Sequence, residues 1–225
     1  MGLQQRTAAA AGKTKGVADL VFLFDCTGSM APYINNVKNN VNSLIEGFSA
    51  TGNVKLDWRV RAMGYKDFFV DKDCIIDKFP FTDSGSEFAS QLSQLDADGG
   101  GDEKESTFDA IWYALKKSDW RSECHKVIVL FTDAGVKGIH DRTMDELGVT
   151  DDIEFLQQEL MRNKIQLFMY CKRDEAYDAL DQIARSHVYQ YDDPGTELAK
   201  SDFGELLEVI GKTVSATIAS DRKTL

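Results

Sequence analysis

The chain has 225 residues, enough for one α/β domain with a sizeable core. Hydrophobic residues make up 43% and charged residues 28%, a globular balance that excludes a largely disordered chain. Lys and Arg number 26 against 37 Asp and Glu, a net charge of −11, which argues against a nucleic-acid binder because such a protein needs a basic face to neutralise phosphates.

No apolar run reaches the roughly 18 residues that a spanning helix requires, so no membrane span is expected. Residues 1–17 lack the apolar core of a signal peptide and read as a flexible lead-in. Residues 18–220 read as one domain. Cys26, Cys74, Cys124 and Cys171 are widely spaced with no Cys-x-x-Cys pair, so reduced thiols and a cytoplasmic location are expected.

The apolar run that follows Asp19, ending at Phe24, marks a strand buried on both faces. Ile34, Val37, Val41, Leu44, Ile45 and Phe48 recur at spacings of three and four, the pattern of one amphipathic helix. Residues 56–63 alternate, with Leu56, Trp58, Val60 and Ala62 facing a core and Asp57, Arg59 and Arg61 facing water. A weaker strand over residues 74–79 ends at Pro80. Ser84 then opens a helix carrying Phe88, Leu92 and Leu95. Residues 96–102, with Gly99, Gly100 and Gly101, form a loop, and Phe108, Ile111, Trp112 and Leu115 predict the next helix. A second two-sided strand covers residues 127–131. Asp151 or Asp152 caps a helix with Ile153, Leu156 and Leu160, and a further strand covers residues 165–170. A helix near residues 177–184, a strand over 187–191 and a closing helix over about 203–218 complete the chain.

Such alternation predicts a three-layer, doubly wound α/β fold, Rossmann-like, with a mostly parallel central sheet and helices on both faces. Ligands of such sheets bind outside the carboxyl ends of the strands, where strand order reverses. The turns that follow the strands are therefore where chemistry is expected.

The first strand runs into Asp25-Cys26-Thr27-Gly28-Ser29-Met30, which sets three oxygen-bearing side chains at alternate positions. Gly28 is expected to let the backbone bend. These are hard ligands, suited to Mg²⁺, Mn²⁺ or Ca²⁺ rather than zinc. A plainer reading is that Thr27 and Ser29 only cap the next helix. Two other turns favour the cation. The strand over 127–131 ends in Thr132-Asp133-Ala134-Gly135, and the Gly-rich loop carries Asp102, Glu103 and Glu105 just before a helix. Clustered carboxylates are costly unless solvated or bound to a cation.

Asp-x-Thr-Gly-Ser-Met after an apolar strand resembles the metal-ion-dependent adhesion site of von Willebrand factor A domains, with Thr27 in the first hydroxyl position. Residues 131–135 resemble that family's third loop. Residues 102–111 are similar to the integrin β-subunit version of the fold, in which a Glu reaches the metal and aligns with Glu105. The closest flavour is similar to the domain attached to some alpha-type kinases. The resemblance implies Thr27 and Ser29 as direct ligands, Asp25 and Glu105 as direct or water-bridged ligands, and Asp133 as a ligand acting through water. Asp102 would ligate the ion or hold a neighbouring one, and Ser106 and Thr107 are the alternatives for the second loop. Ala31-Pro32-Tyr33 replaces the acidic pair of the integrin β adjacent site, so no second site is expected there.

The function implied is cation-dependent docking of an acidic side chain from a partner protein, without turnover. The alternatives are a scaffold or accessory subunit whose metal is only structural, and a Mg²⁺-dependent phosphoesterase. The last wants Asp-x-Asp, and position 27 is Thr27. Gly211-Lys212-Thr213 lacks the first glycine of a phosphate loop, since Leu206 stands there. His125, His140 and His187 lack zinc-type spacing. Tyr33 and Tyr65 are candidates to flank the site.

Overall fold

The computed structural model describes residues 16–49, 56–69, 74–98, 104–138, 152–193, 197 and 202–221. Its centre is a six-stranded sheet in the order β3-β2-β1-β5-β7-β8. These strands are β1 (Gly16–Asp25), β2 (Leu56–Tyr65), β3 (Ile75–Ile76), β5 (His125–Phe131), β7 (Gln166–Lys172) and β8 (Ser186–Tyr191). All pairs are parallel except β2 with β3. A separate two-residue parallel pair joins β4 (Lys104–Glu105) to β6 (Gly135–Val136).

The period of two along β1 assigns its side chains to opposite faces. Leu20, Phe22 and Phe24 enter one core with α1 (Ala31–Asn39), α2 (Val41–Ser49), α3 (Gly85–Leu92) and α7 (Phe203–Asp221). Val21 and Leu23 enter the other with α4 (Thr107–Lys117), α5 (Asp152–Arg162) and α6 (Glu175–Asp181). This is the three-layer, doubly wound architecture expected of parallel strands that are apolar on both faces. Phe24, Phe131, Tyr170 and Tyr189 are register partners, and their rings stack across four strands with centroids 5.4, 5.1 and 4.9 Å apart. The row fixes the relative height of the carboxyl ends from which the site loops emerge.

Several details depart from the sequence reading. The helix expected across residues 34–48 is two helices, α1 and α2, broken at Asn40. The Asn40 side-chain amide donates to the Asn36 carbonyl at 2.9 Å and its backbone N–H to the Val37 carbonyl at 3.1 Å. The apolar stripe continues across the break, so periodicity alone does not reveal it. Strand β2 is not half-buried throughout, because its second half is buried on both faces. Arg61 is only 6% exposed rather than facing water. Arg61 pairs with Asp77, while the Arg59 guanidinium lies 4.2 Å from the Phe81 ring centroid and pairs with Asp19. The sequence also gave no sign of the β4–β6 pair, since two residues carry no period.

Helices α2 and α7 meet backbone to backbone. A Cβ at Gly211 would lie 2.7 Å from the Leu44 carbonyl oxygen and 2.9 Å from the Gly47 Cα. No flexible side chain is there to yield, so Gly211→Ala must push the helices apart. The expected loss is about 1–3 kcal/mol, in the range of overpacked cores, read as a lower urea midpoint. Gly28→Ala is the control: nothing lies within 4 Å of its added Cβ and its φ is not in the left-handed region. That also corrects the role expected for Gly28, since an L residue fits there.

Cys26, Cys74, Cys124 and Cys171 are all free thiols, and Cys26 and Cys171 are buried as expected. Burial pushes the Cys26 thiol up to about 12 and the Cys171 thiol likewise to about 12, so both are inert. Gly211-Lys212-Thr213 lies inside α7 and is no phosphate loop. His125 bonds Gln166 at 2.7 Å and His187 stacks on Phe168, while His140 lies outside the described residues.

Candidate functional site

Strand β1 has β2 on one side and β5 on the other, so chain order reverses between β1 and β5. Asp25, the last residue of β1, stands at this reversal and is fully buried. It follows Leu23 on the face that packs against α4, α5 and α6. Cys26 enters the opposite core, where its Sγ would lie 2.6 Å from a Cβ at Gly64. Its backbone is pinned, with its N–H donating to the Tyr65 carbonyl at 2.7 Å and its carbonyl accepting from the Asp98 N–H at 2.9 Å.

Thr27 precedes a single 3₁₀ turn, Gly28–Met30, yet its side chain makes no capping bond to it. Its hydroxyl instead donates to Asp25 Oδ1 at 2.7 Å, and its backbone N–H donates to the same oxygen at 2.9 Å. Asp25 Oδ2 accepts from the Thr132 hydroxyl at 2.8 Å. Burial nevertheless dominates, and with the nearby Asp133 carboxylate it raises the Asp25 carboxyl to about 6 against the three hydrogen bonds. Met30 is buried and anchors the turn in the core, which leaves Ser29 exposed at the surface.

The third loop is fastened at each residue around Asp133. The Thr132 N–H donates to the Tyr170 carbonyl at 3.0 Å, and the Ala134 N–H donates to the Thr132 hydroxyl at 3.2 Å. Asp133 itself is half-buried. Glu105 is 2% exposed and is tied to this loop by the β4–β6 pair and by the Lys137 N–H, which donates to its carbonyl at 2.9 Å.

The structure therefore brings Asp25, Thr27 and Asp133 together, joins Glu105 to the third loop and leaves Ser29 exposed. Asp102 lies outside the described residues. The two alternatives for the second loop are engaged elsewhere. The Ser106 hydroxyl accepts from the Phe68 N–H at 2.9 Å and donates to Asp67 at 3.3 Å. The Thr107 hydroxyl lies 3.0 Å from the Tyr65 hydroxyl and 3.1 Å from that of Tyr177. Tyr65 is fully buried and lies beneath the site rather than at its rim. Burial, with Asp133 and Asp193 nearby, raises the Tyr33 hydroxyl.

Tyr177, Asp67 and Lys137 also bear on the site, although no motif in the sequence marks them. Asp67 is fully buried and paired with Lys137. Tyr177 sits at helical spacing and reads as core, and the available signal was that a buried Tyr hydroxyl must find a partner. Among the described residues no group of three or more His, Cys, Asp and Glu side chains is arranged to hold a metal. Two of the donors foreseen, Thr27 and Ser29, are hydroxyls and belong to no such group. The Asp, Thr, Ser and Glu oxygens present are hard donors, the chemistry of Mg²⁺, Mn²⁺ and Ca²⁺.

A family model described as von Willebrand factor A domain matches residues 19–154. An alpha-protein kinase, vwkA of Dictyostelium discoideum, is 32% identical over 126 residues, which cover 56% of this chain and 20% of that protein. The match thus takes in about a fifth of that relative's length. Among solved structures, proximal thread matrix protein 1 from the mussel byssus, with a zinc-occupied MIDAS motif, superposes with a TM-score of 0.56 at 15% identity, over 88% of this chain and 46% of that one. A von Willebrand factor type A protein from Catenulispora acidiphila gives 0.56 at 15% identity, over 89% and 43%. Identities this low establish the fold alone. With the family match over residues 19–154, the chain belongs to the von Willebrand factor A domain family.

Proposed function

We propose that this domain binds a divalent cation, Mg²⁺ in the first instance, at the carboxyl ends of β1 and β5, and uses it to dock a carboxylate of a partner protein. The observation that carries the reading is the Thr27 hydroxyl, which turns from the helix it precedes to Asp25. A residue that served only as a cap would bond a backbone N–H of the next turn. Here its proton goes to a buried carboxylate and its lone pairs are left for another partner.

In this reading Thr27 and Ser29 supply hydroxyl oxygens, Glu105 and Asp102 supply the second loop, and Asp25 and Asp133 hold the ion directly or through water. The cation would supply a positive centre with an open coordination position. Asp25, whose carboxyl burial raises to about 6, is strained when ionised without a partner charge and supplies the counter-charge once a cation is present. The exposure of Ser29 supports an open side that faces solvent, where a partner's side chain can reach.

Binding rather than turnover is supported by the state of Asp25. It is fully buried, and both oxygens accept hydrogen bonds. A phosphoesterase nucleophile must instead reach its substrate.

The test is retention of the protein on an array of peptides that present single Asp or Glu side chains. Retention is expected in Mg²⁺, with loss in chelator and with Ser29→Ala. Equal retention under all three conditions would contradict the docking mode.

A further inference from the structure

We infer that Tyr177 is a positioning residue for the cation site, its hydroxyl clamping the third loop to the start of α4. The inference rests on the proposed function and assigns a part of that site to a helix beyond residues 19–154, where the family match ends.

The clamp follows from counting protons. The Tyr177 hydroxyl donates its one proton to the Ala134 carbonyl at 3.2 Å. It can then only accept from Thr107, 3.1 Å away, so the Thr107 proton points to Tyr177. Thr107 in turn accepts from the Tyr65 hydroxyl at 3.0 Å. Three hydroxyls thus form one directed chain, Tyr65 to Thr107 to Tyr177 to the Ala134 carbonyl. Tyr65, Thr107 and Tyr177 are all 0% exposed, so water does not replace any link.

The chain has two effects on the site. It holds Thr107, one of the alternative second-loop ligands, in a fixed engagement. It also fastens the residue after Asp133. Thr132, the residue before, is already held to Asp25 and to the Tyr170 carbonyl. Asp133 is therefore carried between two anchored neighbours. Helix α6 fastens the loop a second time, because Asp174 Oδ2 accepts from the Val136 N–H at 3.3 Å while its Oδ1 accepts from the Ala176 N–H at 3.0 Å. The Phe108 ring meets the Tyr177 ring edge-on at 6.3 Å, which sets the ring plane. The first turn of α6 is thus the seat of the third loop.

The experiment is a Mn²⁺ titration of the wild type, Tyr177→Phe and Tyr113→Phe. It is read by calorimetry and by the electron paramagnetic resonance of bound Mn²⁺, with thermal melts of each metal-free protein. Tyr113 is the control, since its hydroxyl bonds Asp77 at 3.2 Å, away from the site. Tyr177→Phe is expected to weaken Mn²⁺ binding by about ten-fold or more, as loss of partners that orient metal ligands does. It should broaden the bound-ion spectrum and leave the metal-free melt within a few degrees of wild type, while Tyr113→Phe should bind as wild type does. Should Tyr177→Phe not fold, Asp174→Ala removes both carboxylate oxygens, and with them the acceptor at Val136, and is expected to weaken binding in the same direction. Wild-type affinity in the Tyr177 variant, or an equal loss in both tyrosine variants, would overturn the clamp while leaving the site standing. No Mn²⁺ binding by the wild type would overturn the site and the clamp with it.

Discussion

Replacing Asp25 with Asn is expected to abolish cation binding and, in metal-free protein at pH 7, to raise stability. Burial and the neighbouring Asp133 lift the Asp25 carboxyl to about 6 in the folded state, from an ordinary value of 3.8. A folded pKa above the unfolded one means that the native state holds the proton more tightly. The associated stability is full below about pH 4 and is lost as pH rises through about 6. By pH 7 the ionised side chain costs the metal-free fold about 3 kcal/mol, at about 1.4 kcal/mol per unit. Asn carries no such charge. It keeps an oxygen for the Thr27 N–H and hydroxyl, and its amide donates to the Thr132 hydroxyl, which must then accept where it donated. The variant should therefore melt higher than wild type at pH 7 without metal, and the gap should shrink toward pH 4. Added Mg²⁺ should stabilise only the wild type, by mass action on the native state. A variant that melts lower at pH 7, or that still gains stability from Mg²⁺, would contradict this reading of Asp25.

Asp19, at the opposite end of the same face of β1, is expected to behave in the reverse way. It is fully buried and held by two guanidiniums. Arg59 Nε reaches Oδ1 and its Nη2 reaches Oδ2, both at 2.9 Å, while Arg121 donates from Nε and from its backbone N–H, each at 2.7 Å. Burial pushes the carboxyl up, but the bonds from Arg59 and Arg121 outweigh it and hold the group below its ordinary range. Arg121 also ties Asp57 and the Ala18 carbonyl, so this cluster laces β1, β2 and the loop before β5 together. Asp19→Asn leaves two guanidiniums facing an amide. Breaking a buried pair from one side is expected to cost about 3–5 kcal/mol, seen as a large fall in the urea midpoint at pH 7. A lowered folded pKa gives stability that is complete above about pH 4 and is lost as pH falls through the folded value. The difference from wild type should accordingly narrow as pH falls below about 4. A midpoint unchanged at pH 7 would show that the cluster contributes nothing.

The two aspartates mark what the sequence could and could not disclose. The run from Asp19 to Asp25 reads as a two-sided strand because every residue between is apolar, and a period of two cannot hide there. The loop after it was legible because oxygen-bearing residues alternate in a turn at a strand end. Partners from distant segments were not legible. Arg59 and Arg61 fall on the polar side of an alternating pattern, which reads as solvent, whereas Asp19, Asp77 and Phe81 cover them. Thr132 was legible only as the neighbour of Asp133, yet it bonds Asp25 across 107 positions of sequence. Tyr177 falls at a core position of a short helix, and nothing local points its hydroxyl at Ala134. The break at Asn40 was hidden for a different reason, since the apolar stripe runs on through both helices.

Whether Asp25, Thr27 and Ser29 hold a divalent cation is decided by calorimetry of Mg²⁺ and Mn²⁺ into the wild type and Ser29→Ala. Ser29 is exposed, so its loss should leave the fold intact while removing one ligand oxygen. Saturable binding at one site is expected in the wild type, with affinity lower by about ten-fold or more in the variant. Absence of binding in the wild type, or equal affinity in both proteins, would contradict that expectation.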